Sequence, residues 1–360
     1  MEQMTLEVRH LFVRFRTEKG AITPVNDVSL RVPEGSIVGI VGESACGKSM
    51  TARAVMGLIR APGEVTGGEI YLCGRDIASL PERARRQLRG SEVSMIFQEP
   101  MTSLNPVMKV GKQVAEAVLL HTRCTRQEAR ERTLAAFRDV DIPEPEARFD
   151  CYPHQLSGGL RQRVMIAMAM VCKPRLLIAD EPTTALDVTV EAQILRLLER
   201  LRDAGTSILI ISHNLGVIAR VCDHVYVMYT GQIVEQAKTE VLFKRPLHPY
   251  TQGLFWSVSS LREGCETLKT IPGVVPNLRH LPEGCSFSLR CDRCAQKDLL
   301  RTGTACEKEA PELVEIEPGH EVRCHLVTQQ GEGHRERRVN DGRISVADPG
   351  ADKAFPGGRR

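Results

Sequence analysis

The sequence is poor in aromatic residues, which make up 4% of its 360 positions and include a single Trp. Proteins that hold single-stranded nucleic acid stack its bases on aromatic side chains, so this scarcity argues against such a platform. The charge balance points the same way, because 48 Lys and Arg against 45 Asp and Glu leave a formal charge of only +3. We therefore expect no nucleic-acid partner.

The sequence also lacks long apolar runs, since none approaches the roughly 18 residues that would cross a bilayer. Residues 1–3 show neither the basic start nor the apolar stretch of a secretion signal. We therefore expect a cytoplasmic chain, in which the 12 Cys serve as thiols or metal ligands rather than disulfides. Five of them fall within 40 residues: Cys285, Cys291, Cys294, Cys306 and Cys324.

The sharpest motif that is present is a glycine-rich turn, GESACGKS. It follows the apolar run 37–41 and precedes a helix-compatible segment at about 50–58, so it lies between a predicted strand and a predicted helix. The pattern G-x-x-x-x-G-K-[ST] surrounds phosphates with backbone N–H groups, adds a Lys charge and brings a hydroxyl to Mg²⁺. It predicts a nucleotide site made by Gly42, Glu43, Ser44, Ala45, Cys46, Gly47, Lys48, Ser49 and Met50.

Two carboxylates, Asp180 and Glu181, end a predicted buried strand at 176–179. Phosphoryl transfer to water needs a Mg²⁺ site and a group that places the water. Ser49 and Asp180 can supply oxygen ligands to the cation, and Glu181 is then free to orient or deprotonate water. Alone, the carboxylate pair would indicate only a solvated strand end; beside a phosphate loop it predicts catalysis.

Strands alternate with helices along most of the chain, which predicts an α/β domain with a mainly parallel sheet. Ligands bind such sheets at the carboxyl edge, and Gly42, Asp180 and His213 each follow a predicted strand. Three short strands before residue 41 predict a small β layer, and a helical insert is predicted after residue 100.

The last hundred residues differ in composition. Residues 260–325 are rich in Pro, Gly and Cys, which predicts a small unit that needs a staple to be stable. Residues 329–360 have almost no aliphatic periodicity and are predicted to be disordered.

The joint pattern resembles the ATP-binding subunit of ABC transporters over residues 5–255. GESACGKS, the segment at Gln98, LSGGL, LLIADEP, TALD and ISHN occur in that family's order and at its usual separations. The resemblance implies an ABC ATPase cassette in residues 1–258, with a phosphate-loop parallel sheet core and a small antiparallel β layer. It also implies a helical subdomain at about 100–165.

In that family two subunits dimerise head to tail and enclose two ATP molecules. The resemblance therefore implies that Ser157, Gly158 and Gly159 of one subunit face the γ-phosphate that the other subunit holds. The physics agrees, since two glycines that open a helix let its N-terminus approach an anion.

The resemblance implies further site residues. Gln98 would bind Mg²⁺ and the attacking water, Asp187 would touch the opposite site, and His213 would contact the γ-phosphate. A single His at a strand end usually indicates only polar surface. The position of His213 directly after the predicted strand at 208–212 favours a role in the site. Phe15 either stacks on adenine or belongs to a strand core, and the sequence leaves both open.

The segments at 97–118 and 247–254 (LHPYTQGL) resemble the dipeptide/oligopeptide and nickel importers. Residues 259–328 resemble the C-terminal extension of the dipeptide and oligopeptide subunits, in which four cysteines hold an iron–sulfur cluster. The [4Fe-4S] ligands so implied are Cys285, Cys291, Cys306 and Cys324. Zn suits the same thiolates, and Cys294 is a competing ligand.

The resemblance implies an ATPase that powers import of di- or oligopeptides across the cytoplasmic membrane. It implies two integral-membrane permease subunits, a second ATPase subunit that is favoured to be a paralogue, and an extracytoplasmic substrate-binding protein. The chain would lie peripherally on the cytoplasmic face of the inner membrane. One alternative is a cargo of nickel or another small solute, although nickel-importing relatives tend to lack the extension. The other is a soluble ABC ATPase, which would usually carry two cassettes or a coiled coil.

Overall fold

The computed structural model describes residues 3–98, 103–184, 186–262, 271–295 and 303–328. The tail predicted to be disordered, residues 329–360, lies outside these ranges. Among the described residues, no helix combines the length and apolarity needed to cross a membrane.

The first layer is a four-stranded antiparallel sheet in the order β2-β1-β4-β5. Its long strands β1 and β2 alternate buried apolar and exposed polar residues, as a sheet with one solvated face does. The strands of this layer are β1 (Met4–Thr17), β2 (Gly20–Pro33), β4 (Gly63–Leu72) and β5 (Arg75–Asp76).

The second layer is an eight-stranded mixed sheet in the order β11-β12-β10-β9-β3-β8-β7-β6. Strands β9, β3, β8, β7 and β6 run parallel to one another, and β10, β12 and β11 are added antiparallel at one side. Their bounds are β3 (Ile37–Val41), β6 (Val93–Ile96), β7 (Leu176–Asp180), β8 (Ser207–Ser212), β9 (His224–Tyr229), β10 (Gln232–Lys238), β11 (Val314–Glu317) and β12 (His320–Val322).

The central strands are buried on both faces, which explains their continuous apolar sequences. In β8, Ile208 and Ile210 join the core under the helices, whereas Leu209 and Ile211 join the core shared with the antiparallel layer. This alternation follows from the period of two of a strand. Every residue of β3, β7 and β8 is buried, so these strands form a rigid platform.

Helices cover the sheet and form the predicted insert. The insert contains α3 (Val110–His121), α4 (Arg126–Asp139), α5 (Pro145–Phe149) and the start of α6 (Gly158–Met170). The others are α1 (Lys48–Val55), α2 (Glu82–Leu88), α7 (Val188–Asp203), α8 (Leu215–Val221), α9 (Thr239–Lys244), α10 (Pro249–Arg262), α11 (Asp292–Ala295) and α12 (Gly303–Lys308). A capping box of Thr125 and Glu128 fixes the start of α4.

The C-terminal residues share a core with the rest of the chain. Phe287 and three of the cysteines pack into the same cluster as the helices over the sheet, and β12 pairs with β10. The prediction of a separate Cys-rich module is not confirmed. The physical reason is that a short segment rich in Pro, Gly and Cys has little apolar surface of its own, and it buries that surface against the larger domain.

Candidate nucleotide site

Four neighbouring parallel strands end on predicted site residues. The phosphate loop follows β3, His213 follows β8, Asp180 ends β7 and Gln98 lies shortly after β6. Because these strands are adjacent in the sheet, their carboxyl ends bring residues more than a hundred positions apart to one edge.

The phosphate loop follows a path that requires glycine at two positions. Gly42 and Gly47 have φ of 152° and 107°, and a Cβ on either would lie 2.1 Å from a backbone oxygen, of Met228 and Pro24 respectively. Ala45 also has a positive φ of 62°, which a side chain adopts only at a cost. The loop is therefore held in a strained shape by the surrounding backbone.

Lys48 lies at the centre of this loop. Its buried Nζ donates to the carbonyl oxygens of Gly42 at 2.7 Å and Glu43 at 2.9 Å. Lys48 also begins α1, whose first turn has neither a capping side chain nor an acidic residue. The first N–H groups of this helix and the Lys charge thus remain available to an anion.

A hydroxyl and a carboxylate meet beside the loop. Ser49 Oγ donates to Asp180 Oδ1 at 3.0 Å, and Asp180 is 2% exposed. Burial raises the pKa of Asp180 above its ordinary value. A buried carboxylate next to a hydroxyl fits the oxygen ligands that Mg²⁺ prefers, because the cation's charge would offset the cost of burying the anion.

The three predicted catalytic residues are in contact. Glu181 Oε2 accepts a hydrogen bond from Gln98 Nε2 at 2.9 Å, and Glu181 Oε1 lies 3.2 Å from His213 Nδ1. The Glu181 side chain is 14% exposed, so it is held in place yet reaches solvent. Its backbone has a φ of 50°, fixed by a hydrogen bond from Glu181 N to Ile211 O.

Three residues of this site were not predicted from the sequence. Thr184 Oγ1 donates to Glu181 Oε2 at 2.9 Å, and Tyr250 Oη accepts from the backbone N of Glu43 at 2.8 Å. Arg290 pairs with the carboxylate of Glu43. Tyr250 lies within LHPYTQGL and Arg290 directly before Cys291, but nothing in either motif indicates contact with the phosphate loop.

The segment predicted to face a partner's nucleotide lies at the start of α6. Ser157 accepts a hydrogen bond from Leu160 N at 3.3 Å and caps the helix. Asp187 caps α7 in the same way through Val190 N, and a Cβ on Gly159 would lie 2.8 Å from Val190. The structure thus packs the two helix starts together, and none of these contacts involves the phosphate loop of the same chain.

Phe15 lies in β1, opposite Ile22 on β2 and Gly63 on β4. Its ring is half-buried and fills the space above Gly63, where a Cβ would lie 2.5 Å from the ring. These contacts are those of a residue packed within the β layer. Stacking of Phe15 on adenine stays a prediction.

Five buried or half-buried cysteines gather in the C-terminal region. Cys285 N donates to Cys306 O at 2.8 Å, and Cys294 N donates to Cys291 O at 3.0 Å. Burial raises the pKa of Cys285 and Cys306 to about 12 and that of Cys324 to about 11, and neighbouring thiols add to each shift. Across the described ranges, however, no three His, Cys, Asp or Glu side chains are arranged to hold a metal ion. The predicted iron–sulfur site is not confirmed.

The phosphate loop, the pair of Ser49 and buried Asp180, Glu181 with its partner Gln98, and the mixed sheet define an ATP-binding cassette. Comparison with known families agrees. Residues 25–184 match the model described as "ABC transporter", and residues 234–297 match "Oligopeptide/dipeptide transporter, C-terminal region".

Relatives match nearly the whole chain. A probable peptide ABC transporter ATP-binding protein of Sinorhizobium fredii is 49% identical over 324 residues, which cover 89% of this chain and 94% of the relative. An oligopeptide transport ATP-binding protein of Escherichia coli is 48% identical over 320 residues, covering 89% and 92%. A dipeptide transport ATP-binding protein of Haemophilus influenzae is 44% identical over 328 residues, covering 91% and 97%.

Solved structures support the fold and the reaction. A dimeric, post-hydrolysis structure of the cassette MJ0796 bound to ADP and phosphate has a TM-score of 0.60 and 25% identity, covering 65% of this chain and 98% of that one. The chain belongs to the ABC transporter ATP-binding family, in the branch that carries the oligopeptide/dipeptide C-terminal region. It is an ATPase, and the predicted family and cassette fold are confirmed.

Proposed function

We propose that this chain is the subunit whose ATP hydrolysis powers import of di- or oligopeptides across the cytoplasmic membrane. The observation that carries the proposal is the joint presence of the nucleotide site described above and a C-terminal region of the oligopeptide/dipeptide type. The names of relatives that share 44–49% identity support the cargo. A cargo of nickel or another small solute has less support, since the model that matches the C-terminal region is named for oligopeptide and dipeptide transporters.

We infer the following division of roles. Lys48 and the N–H groups of the loop bind phosphate oxygens, with Lys48 exchanging the two carbonyls it now contacts for the anion. Ser49, Asp180 and Gln98 would hold Mg²⁺, which would compensate the charge of the phosphates. Glu181 orients and deprotonates water, with Gln98 and Thr184 fixing one carboxylate oxygen and His213 next to the other.

A second ATPase subunit completes each nucleotide site in this proposal. Ser157, Gly158, Gly159 and Asp187 lie at the starts of α6 and α7, and none of their contacts described above involves the phosphate loop of the same chain, which supports the predicted contacts with another chain. The other partners are two integral-membrane permease subunits and, through them, an extracytoplasmic binding protein. The chain would then lie peripherally on the cytoplasmic face of the inner membrane.

Reconstitution tests the cargo. The tagged chain is purified from detergent-solubilised membranes of its own host, and the complex is placed in liposomes that contain ATP. Accumulation of labelled di- to pentapeptides, dependent on ATP, supports the proposal. Accumulation of nickel but not of peptides would overturn it, and recovery of the chain without any membrane subunit would favour a soluble ATPase.

We further propose that the gathered thiols of Cys285, Cys291, Cys306 and Cys324 bind an iron–sulfur cluster, with Zn as the rival. Five thiols within one small region, four of them in the described core, support a soft-metal site. Anaerobic purification followed by metal analysis and a visible spectrum distinguishes the two. Stoichiometric Zn with no visible band would refute the cluster, and comparison of Cys294→Ser with Cys324→Ser shows which thiol is a ligand.

A further inference from the structure

One ion pair joins the C-terminal region to the phosphate loop. Arg290 Nη1 lies 2.7 Å from Glu43 Oε2, and Arg290 Nη2 lies 3.1 Å from Glu43 Oε1. Two parallel bonds between a guanidinium and a carboxylate fix both the distance and the orientation of the pair. The Arg290 side chain is 4% exposed and that of Glu43 is 29% exposed, so solvent and salt reach the pair from the Glu43 side.

The guanidinium is fixed from its other sides as well. Arg290 Nε donates to the carbonyl oxygen of Pro272 at 2.8 Å, and Nη1 lies 3.4 Å from Tyr229 Oη. Arg290 ends a short 3₁₀ turn, Ser288–Arg290, that follows Phe287. The ring of Phe287 packs edge-on against Tyr229, with centroids 5.3 Å apart. The C-terminal region therefore presents a preorganised cation to the loop.

Glu43 is held through its backbone at the same time. Its N–H donates to Tyr250 Oη at 2.8 Å, and its carbonyl oxygen accepts from Lys48 Nζ at 2.9 Å. The side chain held by Arg290 thus belongs to the residue whose peptide groups shape the start of the loop. A rotation of this residue would displace the N–H groups that follow it in the loop.

The ion pair also removes an unfavourable negative charge from the phosphate loop. Glu43 places a carboxylate in a loop built to receive a polyanion, and an uncompensated carboxylate there would repel phosphates. Arg290 neutralises it. Of the residues described, Arg290 is the one that forms an ion pair with Glu43.

We propose that Arg290 is a positioning residue for nucleotide binding: it neutralises Glu43 and fixes the start of the phosphate loop, so that the C-terminal region sets the affinity for ATP. This inference rests on the proposed nucleotide site. It assigns to the C-terminal region an effect on the nucleotide site of the cassette.

Binding of a fluorescent ATP analogue to the full chain with Mg²⁺ tests the inference. Arg290→Gln is expected to weaken binding at least tenfold and to raise KM while kcat changes little. Arg290→Lys keeps the charge but cannot form both hydrogen bonds to Glu43, so its ATP affinity should lie between those of Arg290→Gln and the parent chain. The matched control is Arg293→Gln, which removes a neighbouring Arg that donates to Gln252 Oε1 at 2.9 Å and should leave affinity unchanged.

The double variant separates the effect of the Glu43 charge from the effect of the two-bond contact. If Arg290 acts by neutralising Glu43, then Glu43→Gln with Arg290→Gln should recover most of the lost affinity, and the loss in Arg290→Gln alone should be largest at low salt. Equal affinity of Arg290→Gln and the parent chain would overturn the inference. If Arg290→Gln fails to fold, the double variant, measured by its melting curve and its nucleotide affinity, still decides. Failure of the unaltered chain to bind nucleotide would instead refute the proposed function.

Discussion

Gly47 and Gly20 share a left-handed backbone, with φ of 107° and 111°, but differ in their surroundings. A Cβ on Gly47 would lie 2.1 Å from Pro24 O, whereas one on Gly20 would have no neighbour within 4 Å. Gly20→Ala is therefore expected to lower the free energy of unfolding by about 1–2 kcal/mol through backbone strain. It should leave ATPase activity unchanged. Gly47→Ala should cost more and abolish ATP binding, because the loop must move. Urea unfolding and nucleotide titration of both variants check this.

Glu181 carries the clearest prediction for catalysis. Glu181→Gln keeps the size of the side chain and removes the base, so kcat should fall by about 10²- to 10⁴-fold while ATP binding survives. Single-turnover hydrolysis and nucleotide titration measure the two effects separately. Glu131→Gln on the exposed face of α4 is the control and should leave both unchanged. Steady hydrolysis by Glu181→Gln would show that another group activates water.

His248 makes the stability of the fold sensitive to acid. Burial lowers its pKa to about 4, and its Nδ1 accepts a hydrogen bond from Tyr250 N at 3.0 Å, which requires the neutral ring. The folded-state pKa lies below the unfolded value of about 6.5, so the stabilisation is complete above that value and is lost as the pH falls toward 4. Between pH 7 and pH 5 we expect a loss of about 2 kcal/mol from this residue.

The variant His248→Asn checks the assignment, because Asn can accept the same N–H but does not titrate. Urea unfolding at pH 7 and pH 5 should show a smaller pH dependence in His248→Asn than in the parent chain. An unchanged pH dependence would mean that other groups are responsible.

Sequence patterns located the residues of the site that sit in continuous motifs. The phosphate loop, Asp180 and Glu181 each follow an apolar strand, so local sequence was sufficient to find them. Thr184 and Arg290 could not be found in this way, because a single hydroxyl or guanidinium carries no pattern of its own. The Arg290 and Glu43 pair spans 247 positions, and only the folded chain brings its members together.

At the scale of elements, the hairpin of β11 and β12 depends on one buried carboxylate. Glu235 on β10 accepts hydrogen bonds from Leu247 N at 2.7 Å, His248 N at 2.9 Å and His320 Nε2 at 2.8 Å. Glu235→Ala removes the acceptor of two buried donors and one half-buried donor, so we expect the free energy of unfolding to fall by an amount on the order of 3–5 kcal/mol. Glu240→Gln on the exposed side of α9 should change stability by less than about 0.5 kcal/mol.

Limited proteolysis locates the effect of Glu235→Ala. Cleavage within residues 314–328 should become faster in this variant before the rest of the chain is cut, because the hairpin loses its anchor. Loss of stability without faster cleavage there would mean that Glu235 supports the whole sheet rather than the hairpin.

The two strands of this hairpin are elements that the sequence did not predict. Short apolar segments predicted the strands of the β layer, and continuous apolar runs predicted the central strands of the platform. Strands β11 and β12 have four and three residues, too few to show a period. Their pairing with β10 depends on Glu235 and His320, which no local pattern connects.

At the scale of the whole molecule, the cassette is expected to act as a dimer. Ser157→Asp keeps a side chain that can cap α6 but places a negative charge where the partner's phosphates are predicted. In the Glu181→Gln background with Mg-ATP, the chain should elute as a dimer, alone or with its paralogue, and Ser157→Asp should abolish that dimer. Thr125→Asp makes the same change in charge at the cap of α4 and should leave the dimer intact. A dimer that survives Ser157→Asp would contradict the head-to-tail arrangement.

The overall architecture was more predictable than the relation between its parts. The order of motifs identified a cassette, since each motif lies on one continuous segment. The packing of Phe287 and the cysteines into the core of the cassette could not be read from the sequence, because it depends on surfaces that meet only after folding.

The position of β3 has a consequence for the synthesis of the protein. This strand carries the phosphate loop, but its partners β8 and β9 begin at Ser207 and His224, more than 160 residues later. At translation rates of roughly 5–20 residues per second, β3 waits about 10–30 s for its first neighbour in the sheet. Its five residues, four of them with apolar side chains, stay unpaired during that time, so we expect a nascent chain paused before residue 207 to depend most on a chaperone.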